Sequence, residues 1–283
     1  MNEISCPAPA KLNLFLHVVG RRADGYHLLE TVFRFVDYGD TVRLSLRDDG
    51  CIVRVQALEG VPEEQDLCVR AARLLQQAGG VSLGVDIALD KRLPMGGGLG
   101  GGSSDAASVL LGLNRLWQLN WTRERLQALA LQLGADVPVF VFGQSAFAQG
   151  IGEQLQAVRL APAWYLVLVP PVHVSTPKIF AHQQLTRDSK TIRITDFSET
   201  ELLLSLTRND LQSVVCAEYH VVAEYLAWLG QYAQARMTGS GACVFAMFDS
   251  EVEAQRILAI MPNGMRGFVA QGMDKHPLYD LAK

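Results

Sequence analysis

The residues Pro94-Met95-Gly96-Gly97-Gly98-Leu99-Gly100-Gly101-Gly102-Ser103-Ser104 place six glycines in seven positions, directly ahead of two serines. Without Cβ atoms such a backbone takes positive φ and approaches an anion closely. Leu83, Val85, Ile87 and Leu89 alternate like a strand before it, and Ala107, Leu110, Leu113 and Trp117 recur at helical spacing after it. The loop amides would therefore converge with the unpaired N–H groups and positive dipole end of a helix predicted from Ser103 to Trp117. Ser103 and Ser104 add hydroxyl donors. That is a cradle for phosphate. A linker or tight turn is the usual fate of clustered glycines, but the strand leading in and the amphipathic helix leading out speak against it.

The stretch contains GxGxxG (Gly96, Gly98, Gly101), yet no acid closes a second strand ~20 residues on, as a dinucleotide site requires. There is no GxxxxGK[ST], no HRD and no DFG, which sets aside P-loop enzymes and protein kinases. Asp136 sits between apolar residues just past a predicted helix end. A carboxylate there suits a general base for a hydroxyl, although alone it reads rather as a turn aspartate or an N-cap. Lys11 lies in an otherwise apolar strand, where a buried cation needs a counter-charge or an anion; a strand-end lysine reaching solvent is the plainer reading. Asn13 shares its face, so it reaches the same place. Tyr26 and His27 follow a turn, a ring to stack and an imidazole to hydrogen-bond a base edge, or else two surface aromatics.

The elements that must position these residues alternate. Leu12, Leu14, Leu16 and Val18 predict a strand over Ala10 to Val19, with further strands at Thr31 to Val36 and Thr41 to Leu46. Asp66 and Thr122 are predicted helix caps, and Val137 to Val141 a strand. The second half reads as a strand at Tyr165 to Val169, two helices between about Glu199 and Leu229, strands at Ala235 to Thr238 and Ala242 to Phe248, a helix from Ser250 and a last strand at Gly267 to Ala270. Strands and helices mixed in this way predict α+β rather than a doubly wound sheet. Glycines and prolines between residues 150 and 171 suggest two domains, 1–155 and 156–283. Thr186 to Thr200 reads as a polar surface loop.

The 283 residues are 49% hydrophobic, enough for a large core, with 25 basic against 29 acidic residues. A net charge of −4 argues against nucleic acid as the main partner. Five scattered cysteines and no apolar run of bilayer length predict a reduced, cytoplasmic protein with no membrane partner.

Four segments together resemble the 4-diphosphocytidyl-2-C-methyl-D-erythritol kinases of the GHMP superfamily. They are Pro9-Ala10-Lys11-Leu12-Asn13-Leu14 with Arg22 to His27, Pro94 to Ala107, Leu133 to Phe140, and Met237-Thr238-Gly239-Ser240-Gly241-Ala242-Cys243-Val244-Phe245. The resemblance spans essentially the whole chain. It implies a two-domain fold, ribosomal-protein-like at the N-terminus and ferredoxin-like at the C-terminus. The activity it implies is ATP-dependent phosphorylation of the 2-hydroxyl of the cytidyl substrate, a step of the non-mevalonate route to isoprenoid precursors. It pairs Lys11 with Asp136 as the catalytic residues and gives Pro94 to Ser104 to ATP. Lys91 either neutralises ATP phosphates or is an exposed strand-end lysine. Asn13, Tyr26, His27, Thr176 and Phe180 would take the substrate, with Phe180 on the second face of the base. Gly239, Ser240 and Gly241 either close over the phosphates or form a plain turn. Mg²⁺ is expected with ATP. Its protein ligands are left open; the superfamily often uses a loop serine with a carboxylate, for which Ser104 is the candidate. The expected partner is the small-molecule substrate alone, bound by a monomer or weak homodimer.

Overall fold

The computed structural model describes residues 2–58, 60–192 and 200–282. Its spine is a pair of long antiparallel strands, β1 (Glu3–Arg21) and β2 (His27–Arg47). The segment between the two strands predicted at 31–36 and 41–46 is a bulge, not a break. Pro9 pairs with Gly39 and Ala10 with Val36, so Asp37 and Tyr38 are extra residues in a continuous strand. Gly39 permits the crossing, because a Cβ there would lie 2.3 Å from the Ala8 carbonyl oxygen.

The first half continues with β3 (Ile52–Arg54), α1 (Leu67–Gly79), β4 (Gly84–Asp90), α2 (Gly101–Leu116), α3 (Arg123–Ala130), α4 (Val137–Phe142), β5 (Ala146–Gln149) and β6 (Gln154–Ala157). The second half adds β7 (Trp164–Leu168), α5 (Thr176–Ala181), α6 (Thr200–Leu206), α7 (Gln212–Glu218), α8 (His220–Leu229), β8 (Arg236–Met237), β9 (Val244–Phe248), α9 (Glu251–Ala259) and β10 (Gly267–Met273). Among the described residues the strands run β3-β4-β2-β10-β7-β9-β8, with β1 and β5 also on β2 and β6 on β5. The last strand thus joins the sheets of the two halves. Arg34 of β2, fully buried, clamps this joint through an ion pair with Asp274.

Apolar side chains of α1 to α4 pack on β1, β2 and β4 through residues such as Leu44, Leu75, Leu110 and Phe140. A second core joins β7 and β9 to α7 and α8 through Leu166, Val215, Val222 and Val244. Asp66 and Thr122 cap as predicted, accepting from the Cys68 and Arg125 amides. Two further predictions change. Val137 to Val141 is the helix α4, not a strand. Pro138 fits its first turn, and Gly143 closes it in the left-handed region at φ 73°. With Val137, Val139, Phe140 and Val141 all buried, the run carries no period to betray it. The region to Leu229 holds three helices, α6, α7 and α8, because the chain turns at 207–211 and again at Tyr219. Of the polar stretch at 186–200, residues 186–192 are irregular and 193–199 lie outside the described residues. No described helix is long and apolar enough to cross a membrane.

Candidate active site

Lys11 is buried in β1, its side chain 3% exposed. A cation there needs partners, and it has three. Its ammonium donates to Asn13 Oδ1 at 2.6 Å, pairs with Asp136 Oδ2 at 3.3 Å and sits 5.4 Å from the Phe33 ring centre. Asn13 in turn donates to the Thr31 hydroxyl at 2.9 Å, so one side of the ammonium is fixed by the sheet. Asp136 stands at the N-terminus of α4 without using its side chain as a cap. It is 40% exposed, an open carboxylate on a buried lysine. The lysine therefore does not reach solvent, and the aspartate does not serve as a side-chain cap.

Asp136 looks into two connected spaces. One is a cavity of about 710 Å³ lined by Lys11, Asn13, Tyr26, His27 and Phe180. The other is a groove of about 520 Å³ lined by Lys91 and most of the loop from Pro94 to Ser103. Gly98, Ser103, Asp136, Thr176, Pro177 and Ser240 line both.

In the groove, Gly100 caps α2 in the left-handed region, and the first amides of the helix open beside it. The glycines serve close protein approach as well as ligand approach. A Cβ on Gly98, at φ 77°, would lie 2.3 Å from the Thr238 carbonyl oxygen. The loop therefore seats directly on the C-terminal glycine turn, where the Cys243 amide donates to the Gly97 carbonyl at 3.0 Å. That turn is itself held. The Asn13 amide donates to Thr238 Oγ1, and Asn209 Nδ2 donates to the Met237 and Gly239 carbonyls. Asn209 had no local signal in the sequence; only the fold brings it there.

Three loop assignments shift. Ser104 is fully buried and its hydroxyl donates to the Pro9 carbonyl at 2.7 Å, so it offers no donor to the groove. The Leu99 side chain belongs to the core, while its carbonyl accepts from the Lys11 amide. Lys91 lines the groove, but its ammonium is held by Asp40 and, at 2.9 Å, by Asp105. Asp40 also accepts from the Arg92 and Leu93 amides, which fixes the strand end at the loop. Burial pushes the Asp105 carboxyl up to about 7 against the pull of Lys91. On Lys91 itself, burial acts downward but is outweighed by the two carboxylates, and its pKa rises.

In the cavity, the Phe180 ring lies 5.1 Å from that of His27, tilted 31°. Tyr26 stands at the rim, 60% exposed. The Thr176 and Ser240 hydroxyls bond each other at 2.7 Å, joining α5 to the glycine turn. Gly239 and Ser240 line the cavity, whereas Gly241 packs behind them against Met237. Burial first, then the charges of Arg187 and Arg21, push the His27 imidazole below its usual value. Arg187 was another residue the sequence left unmarked.

Residues 66–144 match the model of the GHMP kinases N terminal domain, and residues 190–267 that of the GHMP kinases C terminal domain. The chain is 64% identical to the 4-diphosphocytidyl-2-C-methyl-D-erythritol kinase of Thiobacillus denitrificans, over 97% of each protein. It is similar to a crystal structure of 4-(cytidine 5'-diphospho)-2C-methyl-D-erythritol kinase, with a TM-score of 0.77 at 33% identity, covering 95% of this chain and 99% of that one. A homoserine kinase from Cytophaga hutchinsonii shares the fold at 19% identity and a TM-score of 0.69, over 98% of this chain and 96% of that one.

Proposed function

The chain belongs to the GHMP kinases, among the 4-diphosphocytidyl-2-C-methyl-D-erythritol kinases, and we infer from this how it moves the γ-phosphate of ATP to the 2-hydroxyl of that substrate. The observation that supports the assignment of parts is the junction at Asp136, the carboxylate common to a glycine-lined groove and an aromatic-lined cavity. ATP takes the groove, with its phosphates on the amides of Gly96 to Ser103 and the start of α2. The cytidyl end takes the cavity, its base between Tyr26 and Phe180 and its edge at His27. Residues 1–155 then supply cradle and catalytic pair, and 156–283 complete the substrate site through Thr176, Phe180, Gly239 and Ser240.

The 2-hydroxyl is thereby set beside Asp136. As its oxygen bonds to the γ-phosphorus, its proton passes to the Asp136 carboxylate. The bond from that phosphorus to the β-bridging oxygen breaks, and the electron pair leaves with ADP. Lys11, fixed by Asn13, holds the carboxylate in line and places positive charge near the transferring group.

Magnesium enters as the companion of ATP. The described residues do not offer it a cage. Among the described residues no group of three possible ligands is assembled, the Ser104 hydroxyl is committed to Pro9, and Asp105 is buried against Lys91. An ion held mainly by phosphates and water suits such a site, and no step here is routed through it. The cytoplasm is the compartment that fits this activity.

The test is a coupled ADP-release assay on the purified chain with ATP, Mg²⁺ and one acceptor at a time: the cytidyl substrate, homoserine or mevalonate. Turnover on the cytidyl substrate alone is expected. Turnover on homoserine or mevalonate in its place would remove the pyrimidine pocket from the account.

A further inference from the structure

Arg187 follows α5 and lies 160 positions from His27, yet the two touch. Its guanidinium is nearly saturated. Nε donates to His27 Nε2 at 3.1 Å and Nη1 to the Leu185 carbonyl at 3.0 Å. Nη2 donates to the carbonyls of Phe180 at 3.1 Å and His182 at 2.8 Å. One side chain thus ties together both members of the tilted His27–Phe180 pair.

A guanidinium has donors only, so the His27 nitrogen that it meets presents a lone pair. With the ring neutral, its single proton sits on Nδ1. Burial and the two arginines disfavour the doubly protonated ring. His27 lines the cavity, and Nδ1 is the nitrogen left for a ligand there.

We propose that Arg187 is a positioning residue for base specificity: by fixing His27 as an Nδ1–H donor, it makes the cavity choose cytosine over uracil. The chemistry is a matter of one atom. N3 of cytosine carries a lone pair, whereas N3 of uracil carries a hydrogen. O2 accepts in both bases and discriminates nothing. A donor held at N3 bonds cytosine and faces the N–H of uracil, leaving two donors opposed and desolvated. With Arg187 gone, the imidazole is free to present either nitrogen, and the distinction fades. The proposal rests on the cytidyl assignment of the cavity given above.

The test is titration calorimetry of CDP and UDP against the full chain and its Arg187→Leu and Arg187→Gln variants, with KM values for ATP and the cytidyl substrate. The wild type is expected to prefer CDP. Both variants should lose about 10-fold of that preference, the effect of one donor no longer held in place. KM should rise for the cytidyl substrate and not for ATP, a split that general loosening of the fold would not give. Variants that keep the full preference overturn the proposal. A wild type that binds CDP and UDP alike instead overturns the cytidyl reading of the cavity, and the proposal with it. Imidazole nitrogen NMR on the wild type decides the matter if neither variant folds. Protonated Nδ1 with bare Nε2 is expected, and the opposite tautomer overturns the proposal.

Discussion

The groove proposed for phosphate and the cavity proposed for the base meet at one carboxylate but are made of different material. The groove is walled on one side by backbone, nine residues between Pro94 and Ser103 that run into the start of α2. The cavity is mostly side chains, drawn from β1, β2, α5 and the glycine turn. A backbone site depends on conformation, so adding atoms damages it most. A side-chain site depends on identity and support, so removing atoms damages it most. Damage on either side should also stay on that side, since Gly98, Ser103, Asp136, Thr176, Pro177 and Ser240 are the residues that line both.

Gly100→Val should show the largest one-sided loss. At φ 72° a β-branched residue is strained, and its Cβ would lie 2.9 Å from the Phe140 ring and 3.1 Å from the Lys11 side chain. Turnover should fall by at least about 100-fold, the scale of an ångström-sized displacement at a reacting centre. Calorimetry should show ATP binding lost and CDP binding kept. Equal loss of both would end the separation of the two regions.

Phe180→Ala is the converse and a smaller one. Removing one face of the base stack should raise KM for the cytidyl substrate about 10-fold, since a stacked base is worth ~1–3 kcal/mol. KM for ATP should stay within about 2-fold, and steady-state kinetics with each substrate varied in turn would show it. A matching rise for ATP would mean that the ring supports the groove as well.

The smallest difference is electrostatic. Burial raises the Asp105 carboxyl from 3.8 to about 7, so the folded chain keeps a proton that the unfolded chain has shed between those values. That contribution to stability is fully present below 3.8 and lost as pH rises through about 7. Thermal unfolding at pH 6 and pH 8 should therefore show the wild type holding roughly 1 kcal/mol more at the lower pH than Asp105→Asn does. The difference between the two proteins is the quantity to read. His27 and His276 are both lowered, His276 to about 3, and they pull stability the other way in acid.

The same contrast explains what the sequence could disclose. The glycine loop is contiguous, so the phosphate cradle proposed for it could be read from the residue order alone. Lys11 and Asn13 were legible as a pair because two residues apart on a strand share a face. Lys91 and Ser104 were placed on the right segment but with the wrong freedom, because the carboxylates and the carbonyl that hold them come from β1, β2 and α2. Arg187 and Asn209 gave no sign at all, being polar residues in irregular stretches whose links to the site, to His27 and to the glycine turn, span 160 and about 30 positions. The helix at Val137–Phe142 was hidden for a simpler reason, since a run buried on every side shows no periodicity. Motifs carried the site; long-range hydrogen bonds carried its precision.

The joint between the two regions is Asp136, and it is where the account is most exposed. Asp136→Asn keeps the shape and an acceptor for Lys11 but cannot take a proton from the 2-hydroxyl. The measurement is kcat for ADP release with the cytidyl substrate, beside calorimetry for ATP and CDP on the same preparation. The expected result is a kcat lower by about 10²- to 10⁴-fold, the usual contribution of a positioned base, with both ligands bound nearly as in the wild type. A variant that turns over at close to the wild-type rate would contradict it, and the base would have to be sought elsewhere.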